Sequence, residues 1–312
     1  MLNFIILGMG YISARHLDAI KAVGGNLLAY HDVHDVVGHV DSRFINAKYY
    51  REFVHFDCFV DRQQRTLSKI DYAVILLPNH LHNPACRWAM NHGMDVIVEK
   101  PLVIHERNLD DLRDVEIRTG RKINTILQLR LHENAKQMVK NVDCLPKGSI
   151  SEVVINYSTP RGPWFRDGSW KADVSKTGGI ATAIGIHLFD LAGHAFGNWA
   201  SAPYYLAELK KSCLKPNEKI YSDGFEIVSN TKDKIEGEMM FDKAEVLWSL
   251  SVEPGSKPNR VFSVNGKQYD FTNGFNDLHI ESYRKIMAGE GFGIEDARQG
   301  IQITEAIRNV CK

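Results

Sequence analysis

The chain has 312 residues, enough for two ordinary domains with substantial cores. Lysine plus arginine equals aspartate plus glutamate, 38 each, so nothing in the charge favours general binding to nucleic acid or to an acidic membrane surface. Cys58, Cys86, Cys144, Cys213 and Cys311 are odd in number and without paired spacing, which argues against a disulfide framework or a zinc site and points to a reducing compartment.

The apolar start lacks a basic segment and a cleavage site, so Asn3 to Leu7 reads as a first buried strand and the protein is expected to be cytoplasmic. Ile12 to Val23 has helical spacing and stops at Gly24-Gly25. Leu27 to Tyr30 is a second strand. Tyr72 to Leu77 and Asp95 to Val98 are two more, with a helix over Pro84 to His92 between them. The run Ala73 to Leu77 ends at Pro78, and no apolar run approaches membrane-spanning length. A helix over Leu109 to Thr119 closes on Gly120, and Ile123 to Leu127 is a further strand. Strand and helix in alternation predict a parallel sheet covered on both faces, over residues 1–127.

From residue 128 to 312 the texture changes. Ser151 to Ser158, Tyr204 to Leu209, Lys234 to Phe241, Ala244 to Val252 and Arg260 to Phe271 read as strands, with turns at Asp242-Lys243 and Asn265-Gly266. A helix over Gly179 to Phe196 precedes most of them, and another over Ile294 to Asn309 closes the chain. Ser212 to Asp233 is polar, turn-rich and without an assignment. The expectation is an α/β Rossmann domain followed by an α+β domain with a large, mostly antiparallel open sheet.

The first strand ends in Gly8-Met9-Gly10-Tyr11-Ile12-Ser13, a G-x-G-x-x-small turn opening a helix. Gly8 permits the tight turn, Gly10 the approach of a pyrophosphate, and Ser13 close packing of helix on strand. The helix N-terminus offers its free N–H groups to phosphates. Asp32, at the end of the second strand and 22 positions after Gly10, is placed to bind the adenosine ribose. Asp35 adds a second acid where a 2′-phosphate would sit, so NAD is favoured over NADP.

Two later stretches carry chemistry. In Glu99-Lys100-Pro101 a lysine at a strand end faces the ligand crevice of such a sheet, where a lysine elsewhere is an ordinary surface charge. In the helix after Gly178-Gly179, Ala183, His187, Asp190 and His194 are spaced to share one face, with Asp190 able to orient the His187 imidazole. Lys100 and His187 are the candidates to take the proton of an alcohol undergoing hydride transfer. His80 and His82 have no further ligand at matching spacing, so no metal is expected and they read as a cofactor-side loop.

The glycine turn, Glu99-Lys100-Pro101 and the Gly-Gly…Gly-x-His-x-x-Asp segment together resemble the glucose–fructose oxidoreductase/inositol dehydrogenase family, Gfo/Idh/MocA, over essentially the whole chain. Pro78-Asn79-His80-Leu81-His82, Leu127-Gln128-Leu129-Arg130-Leu131-His132, Pro160-Arg161-Gly162-Pro163-Trp164, Ser169-Trp170-Lys171 and residues 274–279 look most like its UDP-N-acetyl-glucosaminuronate 3-dehydrogenases. The resemblance implies that Gly8, Gly10, Tyr11, Ile12, Asp32, Pro78, Asn79, His82, Glu99 and Lys100 contact NAD. It implies that Lys100, Gln128, Arg130, Arg161, Trp164, Trp170, Lys171, Thr182, Ala183 and His187 contact the substrate, a UDP-linked uronic acid, whose anionic groups Arg130, Arg161, Arg166 and Lys171 could hold and whose sugar or base Trp164 and Trp170 could line. Lys100 and His187 would be catalytic, and the reaction would convert the C3 hydroxyl to a ketone for amino-sugar synthesis in surface polysaccharides such as lipopolysaccharide O-antigen. 2-Oxoglutarate as hydride acceptor and a homo-oligomer, dimer or tetramer, are implied as well. One position departs: the family has Asp or Asn where this chain has Ala183. That leaves open another sugar or inositol dehydrogenase of the family, or a non-catalytic NAD-binding regulator, although Lys100 and His187 are both retained.

Overall fold

The apolar run near the start forms β1 (Asn3–Leu7), with all five residues buried, as expected of a strand covered on both faces. The structure is a computed structural model and describes residues 1–162, 165, 169–199, 220–222, 225–230, 233–275 and 277–311. The strand expected over Tyr204 to Leu209, and Trp164 and Arg166, lie outside the described residues. Among the described residues no single helix is long and apolar enough to cross a membrane.

The chain divides into two units, one of residues 1–128 with 275–298 and one of 129–274 with 299–312. The expected boundary after residue 127 lies one residue from the first crossing. The segment 275–298, expected in the second domain, belongs to the first unit.

In the first unit β1 is followed by α1 (Ser13–Ala22), β2 (Asn26–His31), α2 (Val37–Asp41), β3 (Lys48–Tyr50), α3 (Phe53–Gln63), β4 (Tyr72–Ile75), α4 (His82–Asn91), β5 (Asp95–Val98), α5 (Arg107–Thr119) and β6 (Ile123–Thr125). The six strands are parallel in the order β3-β2-β1-β4-β5-β6. The order reverses between β1 and β4, so their carboxyl ends flank the crevice where doubly wound sheets bind ligands. α5 ends as its sequence predicts, on Gly120 in the left-handed conformation at φ 68°.

The second unit contains α6 (Glu133–Asp143), β7 (Ser151–Ser158), α7 (Val174–Thr177), α8 (Gly179–Ala183), α9 (Ile186–Phe196), β8 (Ile220–Ser222), β9 (Phe225–Asn230), β10 (Lys234–Phe241), β11 (Ala244–Ser251), β12 (Asn259–Val264) and β13 (Lys267–Asp270). Its sheet runs β13-β12-β7-β11-β10-β9-β8 and is antiparallel except where β7 and β11 pair in parallel. One face buries Val153, Ile155, Val246, Trp248 and Leu250. α9 lies on it, with Phe189 edge-on to Trp248 at 5.0 Å between centroids. The β12–β13 hairpin turns at Asn265 (φ 48°) and Gly266 (φ 82°), the two positive-φ residues that this tight turn requires.

Two further helices complete the chain: α10 (Leu278–Met287), in the first unit, and α11 (Ile294–Val310), which passes from the first unit into the second at residues 298–299. α10 packs on α1 through Tyr283 and Ile286, which join the buried cluster that includes Leu17 and Ile20.

The helix expected over Gly179 to Phe196 is two helices. α8 stops at Ala183, and the path from α7 and α8 into α9 is bent by 44°. Gly185 sits at the break, where an added Cβ would lie 2.5 Å from the Ala181 carbonyl oxygen and 2.9 Å from the side chains of Leu250 and Phe189. Ala183 and His187 therefore belong to different helices, not to one continuous face. Both are nonetheless partly exposed in a stretch whose other members from Ala181 to Asp190 are buried.

Candidate active site

The cofactor half is built on the first unit. Gly8 has φ 90°, and a Cβ there would meet the Leu76 carbonyl oxygen at 2.8 Å, so the turn from β1 accepts only glycine. A Cβ on Gly10 would meet nothing within 4 Å, which leaves open space against the backbone that opens α1, the room a pyrophosphate needs. Ser13 is fully buried, with Oγ 3.3 Å from His39 Nε2. At the end of β2, Asp32 accepts from the Met9 N–H at 2.6 Å and from the His34 N–H at 2.8 Å. These bonds fix its carboxylate beside the glycine turn. Tyr49, which the sequence did not single out, donates to the Asp32 carbonyl at 3.1 Å.

This geometry carries a cofactor prediction. With Asp32 at the adenosine ribose, as its position after β2 predicts, it and Asp35 would set two negative charges against the phosphate dianion of NADP. Calorimetric titration is expected to give a Kd for NAD at least about tenfold below that for NADP, a difference of about 1.4 kcal/mol. Equal affinity would overturn this reading of the end of β2.

On the other side of the strand-order switch, Glu99 and Lys100 follow β5, and the Lys100–Pro101 peptide bond is cis. Lys100 is partly exposed and Glu99 is buried. His82 is buried between two backbone carbonyls, Pro101 O at 2.7 Å from Nδ1 and Leu77 O at 2.8 Å from Nε2. It ties the loop after β4 to the turn after β5, so its part in the cofactor site is support of the two loops and not the contact that the resemblance implies. Asn79 is buried in the same loop, whereas Tyr11 is 90% exposed. Gln128 is buried, and its Oε1 has no hydrogen-bond partner among the described residues. An orphaned buried acceptor of this kind suits an amide or hydroxyl donor of a ligand.

The second unit sorts its expected substrate residues into two groups. Arg130 turns its guanidinium inward: its Nε and Nη2 pair with Asp190 at 3.0 and 2.7 Å, with the two side chains 9% and 4% exposed. Asp190, expected to orient His187, accepts from Arg130 through both oxygens. Thr182 is also removed from the substrate set. It is fully buried beneath Gly178, and its Oγ1 accepts from Arg308 at 3.2 Å.

Arg161, Lys171 and Trp170 remain together. Lys171 Nζ lies 5.7 Å from the Trp170 ring centroid. Burial, and then the Arg161 charge, hold the Lys171 ammonium below its ordinary pKa. Two cations set close in a half-buried place are the arrangement an anionic ligand neutralises. Arg260 extends this cationic patch. It lies over the Tyr157 ring at 5.8 Å and donates to Thr159 at 3.1 Å. A single arginine on a hairpin strand gives no local signal, so the sequence did not point to it.

Residues 2–126 match the family model described as "Oxidoreductase family, NAD-binding Rossmann fold", and residues 143–309 match "Oxidoreductase family, C-terminal alpha/beta domain". The WlbA (WbpB) dehydrogenase from Thermus thermophilus, solved in complex with NAD and alpha-ketoglutarate, is 35% identical, with a TM-score of 0.87 over 99% of this chain and 96% of that one. A structure of the same enzyme with NAD and UDP-GlcNAcA gives a TM-score of 0.86 at 35% identity, covering 99% of this chain and 95% of that one. An uncharacterized oxidoreductase of Schizosaccharomyces pombe is 32% identical over 132 residues, 42% of this chain. The chain spans only 35% of the length of that curated relative and 25% of a second, from Rhizobium meliloti. With both of its units matched by the family models and the glycine turn shaped as the cofactor requires, the chain belongs to the Gfo/Idh/MocA oxidoreductase family and carries its NAD-binding Rossmann domain.

Proposed function

We propose that this protein oxidises the C3 hydroxyl of a UDP-N-acetyl-glucosaminuronate-type nucleotide sugar to a ketone. The observation that carries the reading is the 35% identity, over 99% of the chain, to the Thermus thermophilus dehydrogenase whose structure contains NAD and UDP-GlcNAcA. The cationic grouping of Arg161, Lys171 and Arg260 supports it, because such a substrate brings a diphosphate and a carboxylate. NAD, when bound, supplies the hydride acceptor. The chain's own part is to hold the sugar and to take the hydroxyl proton as the hydride leaves the same carbon. Lys100 and His187 share that proton. An imidazole takes it without assistance near neutral pH, and an amine takes it once burial and a nearby positive charge have lowered its pKa.

The place of the reaction is the cytoplasm, in amino-sugar synthesis for surface polysaccharides. 2-Oxoglutarate serves as the acceptor that reoxidises the cofactor, a reading supported by alpha-ketoglutarate in the Thermus thermophilus structure. The outer face of the second sheet exposes Val154, Val228 and Leu247, each more than 40% accessible, and supports a homo-oligomer formed through that face.

The test is the absorbance of reduced nicotinamide on mixing the protein, NAD and UDP-N-acetyl-glucosaminuronate. About one NADH per subunit is expected without an acceptor, and continued turnover with 2-oxoglutarate. Reduction by a free hexose or an inositol instead would reassign the substrate within the family. Reduction by none of these would favour the regulator reading that Ala183 motivates.

A further inference from the structure

Behind Lys100 lies a buried cluster that the reaction above does not use. The Glu99 side chain turns inward, and its Oε1 is 3.0 Å from His16 Nε2 on α1 and 3.1 Å from His279 Nε2 on α10. His16 Nδ1 is 2.9 Å from the Tyr283 hydroxyl. The second carboxylate oxygen accepts from the Lys100 N–H at 3.3 Å. His16, His279 and Tyr283 are fully buried, and Glu99 is 7% exposed.

Counting donors fixes the protons. The Tyr283 O–H donates to His16 Nδ1, so the His16 proton sits on Nε2 and is donated to Glu99. His279 donates its own Nε2–H to the same oxygen, and its Nδ1 has no hydrogen-bond partner among the described residues. Burial holds His16 below the ordinary imidazole pKa. Burial also opposes a charge on Glu99, but the two imidazole donors outweigh it and hold the carboxyl well below the usual carboxylate range. The cluster is therefore two imidazole donors around one buried anion, next in the chain to Lys100.

We propose that this buried anion sets the redox preference of the cofactor site. Glu99, held ionised by His16 and His279, favours the positively charged oxidised nicotinamide over the neutral reduced one. The two histidines are positioning residues that act through Glu99. The inference rests on NAD binding at this sheet and not on the identity of the sugar. A nicotinamide ring gains one positive charge on oxidation, and a buried carboxylate acts on that charge with little solvent screening. Such bias makes bound NADH a stronger hydride donor, which favours its reoxidation by a 2-oxo acid acceptor.

The experiment measures Kd for NAD and for NADH on the wild type and on Glu99→Gln, which removes the charge and keeps the shape. The ratio Kd(NADH)/Kd(NAD) is expected to fall by about tenfold or more. His279→Gln and His16→Gln, whose amide N–H groups replace the Nε2 donors, are expected to keep the ratio within about threefold of wild type, whereas His279→Leu lowers it. A folded Glu99→Gln protein in which both constants change in parallel, with the ratio intact, would overturn the proposal in favour of a purely structural cluster. If Glu99→Gln does not fold, the ratio in His279→Gln against His279→Leu decides on the same terms. His16, Glu99 and His279 also present three ligand-type atoms within 4.8 Å of one another. One equivalent of zinc purifying with the wild type, and absent from His279→Leu, would make them metal ligands and would likewise overturn the proposal.

Discussion

Lys100→Ala is expected to lower kcat by about 100-fold or more, and His187→Ala to do the same, the scale on which positioned acid–base groups act. If both serve one proton, as proposed, the two losses should not multiply in the double variant. NAD affinity should survive in both single variants, since the glycine turn at Gly8 and Gly10 and the Asp32 carboxylate are formed by β1, α1 and β2 alone. The measurement is steady-state turnover with UDP-N-acetyl-glucosaminuronate, paired with NADH binding followed by fluorescence. Retained binding with collapsed kcat places both side chains at the chemical step. Full turnover in the double variant would remove both from the mechanism and leave them as contacts of the folded state.

The parts of the site that could be read in the sequence are those formed by neighbours in the chain. The turn after β1, the acid after β2 and the Glu99-Lys100-Pro101 corner depend on a few consecutive residues, and the structure forms each where its spacing predicts. The parts that could not be read are tertiary. Glu99 meets His16 across 83 positions and His279 across 180, so no local spacing signals their cluster. α10 was visible only as a motif at its first residues, and nothing in it indicates a return to the first unit. α3 was missed because its apolar residues lie on more than one side: Phe56, Phe59 and Val60 are buried while Phe53 and Val54 are 44% and 62% exposed, which blurs the helical period. At the break between α8 and α9, the Ala181 carbonyl and Leu250 approach Gly185 so closely that no Cβ fits, contacts that the apolar pattern of the segment does not contain. The same break changes what Ala183 means. It ends one helix while His187 sits in the first turn of the next, so an Asp or Asn at 183 would reach toward the histidine across a bend and not along a helical turn.

Asp190→Ala is expected to destabilise the protein by about 3–5 kcal/mol, the cost of leaving one member of a buried ion pair alone. The Arg130 and Asp190 side chains are 9% and 4% exposed, and the guanidinium engages both carboxylate oxygens. Removing the carboxylate strands a buried cation that cannot lose its charge, because arginine does not deprotonate in proteins. Asp190→Asn keeps an acceptor and should lose less. Replacing both residues by apolar ones of similar volume should recover much of the loss, because the desolvation of the pair then disappears together with its attraction. Denaturant titration of the three variants checks this ordering. The effect should also reach the chemistry. Asp190 and His187 lie within one turn of α9, and Arg130 anchors that turn to the segment beginning at Gln128, so loosening the pair misplaces the His187 imidazole. For Asp190→Asn assayed well below its unfolding transition, kcat should fall while the Kd for NAD stays constant. A variant that is fully stable yet catalytically impaired would show instead that Asp190 acts on His187 directly, and that its bond to Arg130 is incidental to both stability and turnover.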